Sequence, residues 1–350
     1  MDLPAGTRNY TYAQDMAIFR TKTHWTLLIG LLVVLCTAPL WWGNWLSVAN
    51  LIGITIIAAT GLNILTGYCG QLSIGHAGFM AVGAYTSAIL TERLGLPFRV
   101  GLISAGVAAG LVGMIFGMPS LRVKGFYLAI ATIAAQFIII WVIKHWTDVT
   151  GGHMGMSVSA PALGGFVLKS NASQFYLIGG IAVLSIFFAK NLARTRVGRA
   201  FVAIRDNDLA AEVMGINLFR YKLIAFFIGC FFAGIAGSLF AHWARFISDE
   251  FFPLTDSILY IGMIIIGGLG TTTGPIFGAI FIGLIKHSLT HYLVPTLESS
   301  AIALPAGFAS GLAPMVFGLI IILFLILEPR GLAHRWQLFK AAYRLWPFSY

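Results

Sequence analysis

An all-α, polytopic transmembrane helical bundle is the fold class this sequence predicts, and three observations predict it. Of 350 residues, 58% are hydrophobic and only 10% are charged, whereas soluble domains carry close to a quarter charged residues. Apolar runs of about 20 residues, the length a helix needs to cross a bilayer, recur along the chain. Most of the 22 Lys and Arg residues, which leave a net charge of +10, lie between those runs. Loops retained on the cytoplasmic side have that composition. A basic balance also suits nucleic acid, but no basic face with interleaved aromatics stands free of the apolar runs, so no nucleic-acid partner is expected. Cys36, Cys69 and Cys230 lie in apolar segments without metal-ligand spacing, so neither a disulfide nor a metal site is expected. The chain has no Gly-x-x-x-x-Gly-Lys-Ser/Thr and therefore no P-loop of its own.

Residues 1–24 form a polar leader with Arg8, Arg20 and Lys22. Residues 25–42 read as an uncleaved first span, because the leader is long for a signal peptide and Trp41, Trp42 and Trp45 form an interfacial belt. A second span, about 47–66, breaks at GYCGQLSIGHAGFMAVGAY. Gly67, Gly70, Gly75, Gly78 and Gly83 punctuate the break, with Asn63, Gln71, Ser73 and His76 among them. Irregular backbone at membrane depth is tolerated only where it lines a cavity or is buried in protein. His76 reads equally well as a packing histidine and as a residue lining a path.

A polar turn at 91–99 leads into a span at 100–119, whose Gly106, Gly110, Gly113 and Gly117 share one helix face and permit close helix approach. Arg122 and Lys124 mark a cytoplasmic turn, 126–146 crosses back, and a Gly-rich outer loop follows at 147–173. His153 in that loop has no Cys or His partner at metal-ligand spacing. The span 174–190 then returns to the long polar stretch 190–222, with seven basic and three acidic residues. Asp208 is placed to cap a short helix, Leu209–Met214, that ends at Gly215, and Asn217 to cap the next. Such a stretch is either a topology loop or a docking helix on the cytoplasmic face.

In the span 218–243, Ala225, Gly229, Ala233, Gly237 and Ala241 form a second close-packing ridge. An acidic outer loop (Asp249, Glu250, Asp256), an apolar run 257–266, the break GGLGTTTGPIFG and a helix 276–292 follow. Gly268-x-Gly270-x-x-x-Gly274 is not a nucleotide fingerprint, since it follows no soluble strand. A last span, 312–327, ends at Glu328-Pro329-Arg330-Gly331 before a basic tail. About ten crossings result, with both termini inside, and either Gly break could be re-entrant. The domains are a cytoplasmic N-terminal segment 1–24, a transmembrane domain 25–330 that includes the cytoplasmic stretch 190–222, and a basic cytoplasmic tail 331–350. A Gly-interrupted segment in each half points to the translocation site. The candidate path residues are Asn63, Gly67, Gly70, Gln71, Ser73, Gly75, His76, Gly268, Gly270, Thr272 and Gly274.

Several blocks resemble one family. Gly61–Tyr85 matches the pattern G-L-N-x-L-x-G-Y-x-G-Q-x-S-x-G-x-x-x-F-x-x-x-G-A-Y of LivM/LivH-type permeases, subunits of branched-chain amino acid ABC importers. Thr150-Gly151-Gly152-x-x-Gly155 resembles the family's T-G-G-x-x-G, and Gly267, Gly268, Gly270, Gly274 and Gly278 resemble its second glycine signature. Ala210-Ala211-Glu212-Val213-Met214-Gly215-Ile216, preceded by Arg199 and Arg205, resembles the coupling loop, in the LivM-type form Ala-Ala-Glu-x-x-Gly rather than the generic Glu-Ala-Ala. The resemblance covers roughly 50–332. It implies a permease subunit that couples to ATPases through Arg199, Arg205, Asp208, Ala210, Ala211, Glu212 and Gly215. The implied partners are a second permease of the same family, two ABC ATPase subunits, a periplasmic substrate-binding protein and membrane lipid. It also implies the bacterial inner membrane, no cofactor in this chain (ATP and Mg²⁺ sit on the ATPase), and a branched-chain amino acid, urea, amide or other small organic solute as cargo. The alternative is a secondary transporter or channel without ATPases. Against it, Glu92, Asp148, Asp249, Glu250, Asp256, Glu298 and Glu328 all fall near span ends, leaving no mid-span carboxylate to relay protons. A membrane enzyme is disfavoured because no nucleophile–base pair stands out.

Overall fold

The computed structural model describes residues 45–118, 126–293 and 308–345, with isolated positions between 11 and 43. Twelve helices form its frame: α1 (Trp45–Leu62), α2 (His76–Ala88), α3 (Phe98–Gly117), α4 (Phe126–His145), α5 (Asn171–Arg194), α6 (Arg196–Asp206), α7 (Asp208–Val213), α8 (Leu218–Ala244), α9 (Leu254–Gly267), α10 (Gly274–Ser288), α11 (Phe308–Leu327) and α12 (Gly331–Leu345). Two small antiparallel strand pairs lie between helices. β1 (Met156–Ser157) pairs with β4 (Phe246–Ile247), and β2 (Ala162–Leu163) with β3 (Phe166–Val167).

Among the described residues, six stretches are long and apolar enough to cross a bilayer: Trp45–Tyr68, Phe98–Gly117, Tyr127–His145, Asn171–Arg194, Leu218–Ala244 and Asp249–Gly267. Pro314–Leu327 and Gly331–Ala342, bent by 44°, make a seventh if taken as one span. The described residues therefore account for six or seven of the expected ten crossings. Helix α2 with its π-helical end runs His76–Arg93 and α10 with its own runs Gly274–Leu293, and neither is among these stretches. Most of the expected first span, 25–42, and the cations Arg8, Arg20, Lys22, Arg122 and Lys124 lie outside the described residues.

The core is built around α8, and small residues explain how. Helices in lipid gain little from hydrophobic exclusion, so close backbone approach and dispersion contacts hold them together. On α3, a Cβ added at Gly106, Gly110, Gly113 or Gly117 would come within 2.8 Å of Phe231, Phe227, Cys230 or Phe226 of α8. The expected glycine row is thus the α3–α8 seam. On α8 itself, Gly229 abuts Leu65 and the Gly61 carbonyl, Gly234 the Ala105 carbonyl, and Gly237 the Met80 carbonyl. Three neighbouring helices therefore touch the backbone of one. Asn217 caps α8 as expected, its side chain accepting from the Arg220 amide at 3.0 Å. At the far end Arg245 takes the left-handed C-cap conformation, φ 60.

The end of the bundle opposite the 190–222 stretch is closed by loop contacts. Lys144 Nζ lies 3.2 Å from the Asp249 carboxylate and His153 Nδ1 lies 3.4 Å from it. The Thr150-Gly151-Gly152-x-x-Gly155 motif makes the turn here. Gly155 has φ +69, and a Cβ on it would strike the Ile247 carbonyl at 2.3 Å, so β1 reaches β4 only if that residue is glycine.

Candidate functional site

The two Gly breaks, far apart in sequence, meet at the end of the bundle that carries the basic stretch. Helix α1 does not stop at Leu62 but widens into a π-helical turn, Asn63–Tyr68, a distortion that recurs at functional sites. Residues 69–75 then run back along the bundle without helix. At His76, where α2 begins, the ring Nε2 lies 2.9 Å from the Ala58 carbonyl of α1. This irregular strip is held by protein. The Ile74 amide donates to Thr132 Oγ1 at 2.9 Å, and the Ala77 amide to Ser257 Oγ at 2.8 Å. Ser257 in turn donates to Gln136 Oε1 at 2.7 Å. Gln71, Ser73, Gly75 and His76 are buried along this strip, and His76 meets Tyr260 edge-on.

The second break begins where α9 ends at Gly267. Gly268 and Gly270 have φ of +116 and +70. Thr271, rather than the neighbouring half-buried Thr272, closes the turn: its hydroxyl donates to the Gly268 carbonyl at 2.8 Å and accepts from the Gly274 amide at 3.0 Å. Pro275 then starts α10 in the first turn, where a missing N–H costs nothing.

Asn63 joins the breaks. Its Nδ2 donates to the Thr271 carbonyl at 2.8 Å, and its Oδ1 accepts from the Gly270 amide at 2.9 Å. The approach is tight enough to need glycine, since a Cβ at Gly67 would fall 2.2 Å from Asn63 Oδ1 and 2.5 Å from the Gly270 nitrogen.

Arg205, in the last turn of α6, grips this junction from the basic stretch. Its Nη1 donates to the Gly67 carbonyl at 3.0 Å. Its Nε and Nη2 hold Asp206 Oδ1 at 3.0 and 2.9 Å. Its aliphatic stem covers Gly70, where a Cβ would sit 3.0 Å from Arg205 Cγ. Nη1 also lies 2.7 Å from the position of a Cβ on Gly270. Beside it a cavity of about 340 Å³ is lined by Cys69, Gly70, Gln71, Asp206, Asn207 and Lys222, among others. Lys222 is buried within α8. Cys69, which follows the span Trp45–Tyr68, has its thiol pushed up to about 12 by burial, against a smaller opposing pull from Lys222.

Helix α7 follows directly. The expectation that Asp208 caps it is corrected by one residue. Asn207 has the extended backbone an N-cap requires and accepts from the Ala210 amide at 3.0 Å. Asp208 becomes the first helical residue, where its negative charge still complements the helix N-terminus. The C-terminus matches expectation. Gly215 is left-handed at φ +83, its amide bonds the Glu212 carbonyl at 2.9 Å, and the Ile216 amide bonds the Ala211 carbonyl at 3.0 Å. Together these make a Schellman motif. Ala211 is buried, whereas Ala210, Glu212, Val213 and Met214 face outward, Val213 at 88% exposure. Arg199 turns away from the junction, donating to the Arg194 carbonyl at 3.1 Å.

Of the residues expected to couple, Arg205 bridges to the expected path at Gly67. Lys222, Asp206, Thr271, Ser257 and Gln136 complete the site and were not among the expected residues. A lysine at a span boundary reads as a topology charge, and a serine or glutamine within an apolar run gives no local signal.

Known proteins match this chain along most of its length. The family described as branched-chain amino acid transport system / permease component matches residues 44–327. The chain is 33% identical over 296 residues to the high-affinity branched-chain amino acid transport system permease protein LivM of Escherichia coli (strain K12), covering 77% of this chain and 70% of that protein. It is 24% identical to a probable branched-chain amino acid transport permease protein LivM of Methanocaldococcus jannaschii, covering 80% and 90%. It is 28% identical to the autoinducer 2 import system permease protein LsrC of Photorhabdus laumondii, covering 64% and 73%. No solved structure matches it.

Proposed function

The chain belongs to the family of permease components of branched-chain amino acid transport systems, and from that premise we propose how its parts serve an ATP-driven importer. It is the permease subunit, and it pairs with a second permease of the same family so that each supplies half of the path. The basic end faces the cytoplasm of a bacterial inner membrane, with both termini on that side. Two ABC ATPases dock there and carry the ATP and Mg²⁺, so hydrolysis is theirs. A soluble binding protein delivers the solute at the opposite end. The cargo is a branched-chain amino acid or a similar small organic solute, a reading supported by the printed names of the relatives.

The observation that carries this reading is Arg205. It connects the segment bearing the exposed face of α7 to Gly67, and through the Gly67–Asn63 turn to Gly270. When the ATPases close on ATP, they displace α7. Its N-cap and Schellman motif keep it from unwinding, so the displacement passes to α6 and Arg205. The pull on Gly67 separates the two breaks or seats them, which opens or closes the path at the cytoplasmic end.

Val213→Asp tests the docking surface. Val213 touches little of its own chain, so the variant should insert and pair normally. It should nonetheless lose copurifying ATPase and ATP-dependent L-leucine uptake in proteoliposomes. Full ATPase recruitment and uptake by Val213→Asp would remove α7 from the docking surface. Uptake that proceeds without ATP or ATPases would sink the importer reading.

A further inference from the structure

At the end opposite the basic stretch, a cavity of about 540 Å³ opens between α1, α2, α8, α9 and α10 among the described residues. Pockets that hold small molecules span roughly 300–1,000 Å³. Its depth is apolar, with Leu51, Ile54, Met80, Leu259 and Met263 in the walls. An oppositely charged pair interrupts the apolar wall between α9 and α10. Asp256 stands in the first turn of α9 and Lys286 near the end of α10, with Oδ1 and Nζ 3.7 Å apart. That gap exceeds the 2.7–2.9 Å of a charge-assisted hydrogen bond. The two side chains are 30% and 48% exposed, so each keeps bonding capacity for a third group. Glu250, His287 and His291 also line the cavity.

We propose that this cavity is a transient site for a free α-amino acid with an apolar side chain, its ammonium on Asp256, its carboxylate on Lys286 and its side chain against the apolar wall. The spacing favours this occupant. An α-amino acid carries both charges on one carbon, matching partners 3.7 Å apart, whereas a phosphoethanolamine lipid headgroup separates them by a longer chain. The proposal rests on the transport reading and adds to it a place where the chain itself reads the solute.

The experiment uses the permease pair with its ATPases in nanodiscs of phosphatidylglycerol, with Leu259→Cys as a reporter in the cavity. L-leucine at about ten times its dissociation constant should slow maleimide labelling of the reporter roughly tenfold. 4-Methylpentanoate and isopentylamine, each lacking one charge, should not protect. Asp256→Asn and Lys286→Met should each abolish protection. The charge-swapped pair Asp256→Lys/Lys286→Asp would restore a purely structural ion pair, but it reverses the polarity the ligand meets and should also fail to protect. Protection by the swapped pair, by single-charge analogues, or only on exchanging phosphatidylglycerol for phosphatidylethanolamine would overturn the proposal, as would no protection at all. ATP-driven L-leucine uptake by the unlabelled wild-type complex is measured in parallel. Its absence counts against the importer reading, whereas uptake without cavity protection counts against this site alone.

Discussion

Replacing Asn63 by Ala should loosen the junction between the breaks without unfolding the bundle. The substitution removes two hydrogen bonds, to Thr271 O and from Gly270 N, and leaves both backbone groups facing a short side chain. A buried polar group that loses its partner costs about 1–3 kcal/mol, and bonds between helices in membranes run lower, near 1–2 kcal/mol. Two groups at about 1–2 kcal/mol each come to about 2–4 kcal/mol. At about 1.4 kcal/mol per factor of ten, local opening should become roughly 30- to 1,000-fold more frequent. Hydrogen exchange read at the Gly270 amide measures this directly, because that amide is the one Asn63 holds. Asn63→Asp is the matched control. It keeps an acceptor for Gly270 but cannot donate to Thr271, so Gly270 exchange should stay closer to wild type while transport falls. If Asn63→Ala leaves exchange across 267–274 unchanged, the junction is not held by this side chain and the route from Arg205 to the second break fails.

Other expectations are more compact. Gly215→Val should cost about 1–2 kcal/mol by forcing a β-branched residue into a left-handed C′ position. ATPase recruitment and transport should drop while expression holds, and normal transport would make 190–222 a topology loop only. Gly113→Leu should strike Cys230, since even a Cβ would sit 2.4 Å from its Sγ. Overpacking of this kind costs about 1–3 kcal/mol or more, and thermal stability in detergent should fall; an unchanged melting profile would deny the α3–α8 seam. Cys69 should alkylate slowly at pH 7.5. Its raised pKa keeps it a thiol there, so labelling should speed about tenfold per pH unit up to at least pH 9. Rapid labelling at neutral pH would contradict its burial.

What could be read from the sequence was whatever depends on one element at a time. Glycines on one face of a helix mark a seam, and the row on α3 packs on Phe226, Phe227, Cys230 and Phe231 of α8, whereas Gly229 and Gly237 of the ridge expected on α8 face α1 and α2. Asn217 and Gly215 act where local cap chemistry places them. Asn207 won over Asp208 because the chain turns one residue earlier, leaving Asn207 extended, and both residue types serve as caps. Relations between distant elements carried no local signal. Nothing near Asn63 announces that its partners are Gly270 and Thr271, and nothing near Ser257 announces Gln136 and Ala77. The glycine breaks were correctly marked as irregular, but their encounter depends on how α1 and α9 pack. Asp256 read as a span-end charge, and only the antiparallel α9–α10 hairpin sets Lys286 beside it. About ten spans were expected because an apolar run next to a glycine break reads as a crossing from its composition alone, and the described residues contain six such stretches, or seven with the bent pair.

The glycine contacts of α8 also bear on how the chain is made. Helices α1, α2 and α3 leave the ribosome before α8 does, and all three rest directly on its backbone at Gly229, Gly234 and Gly237. Until α8 arrives, they have an open groove where it will lie, and lipid tails fit poorly against a surface shaped for bare helix backbone. Assembly of the first half therefore waits on synthesis of the second. The stretch 190–222 emerges in between, so the helix that completes the core follows it into the membrane.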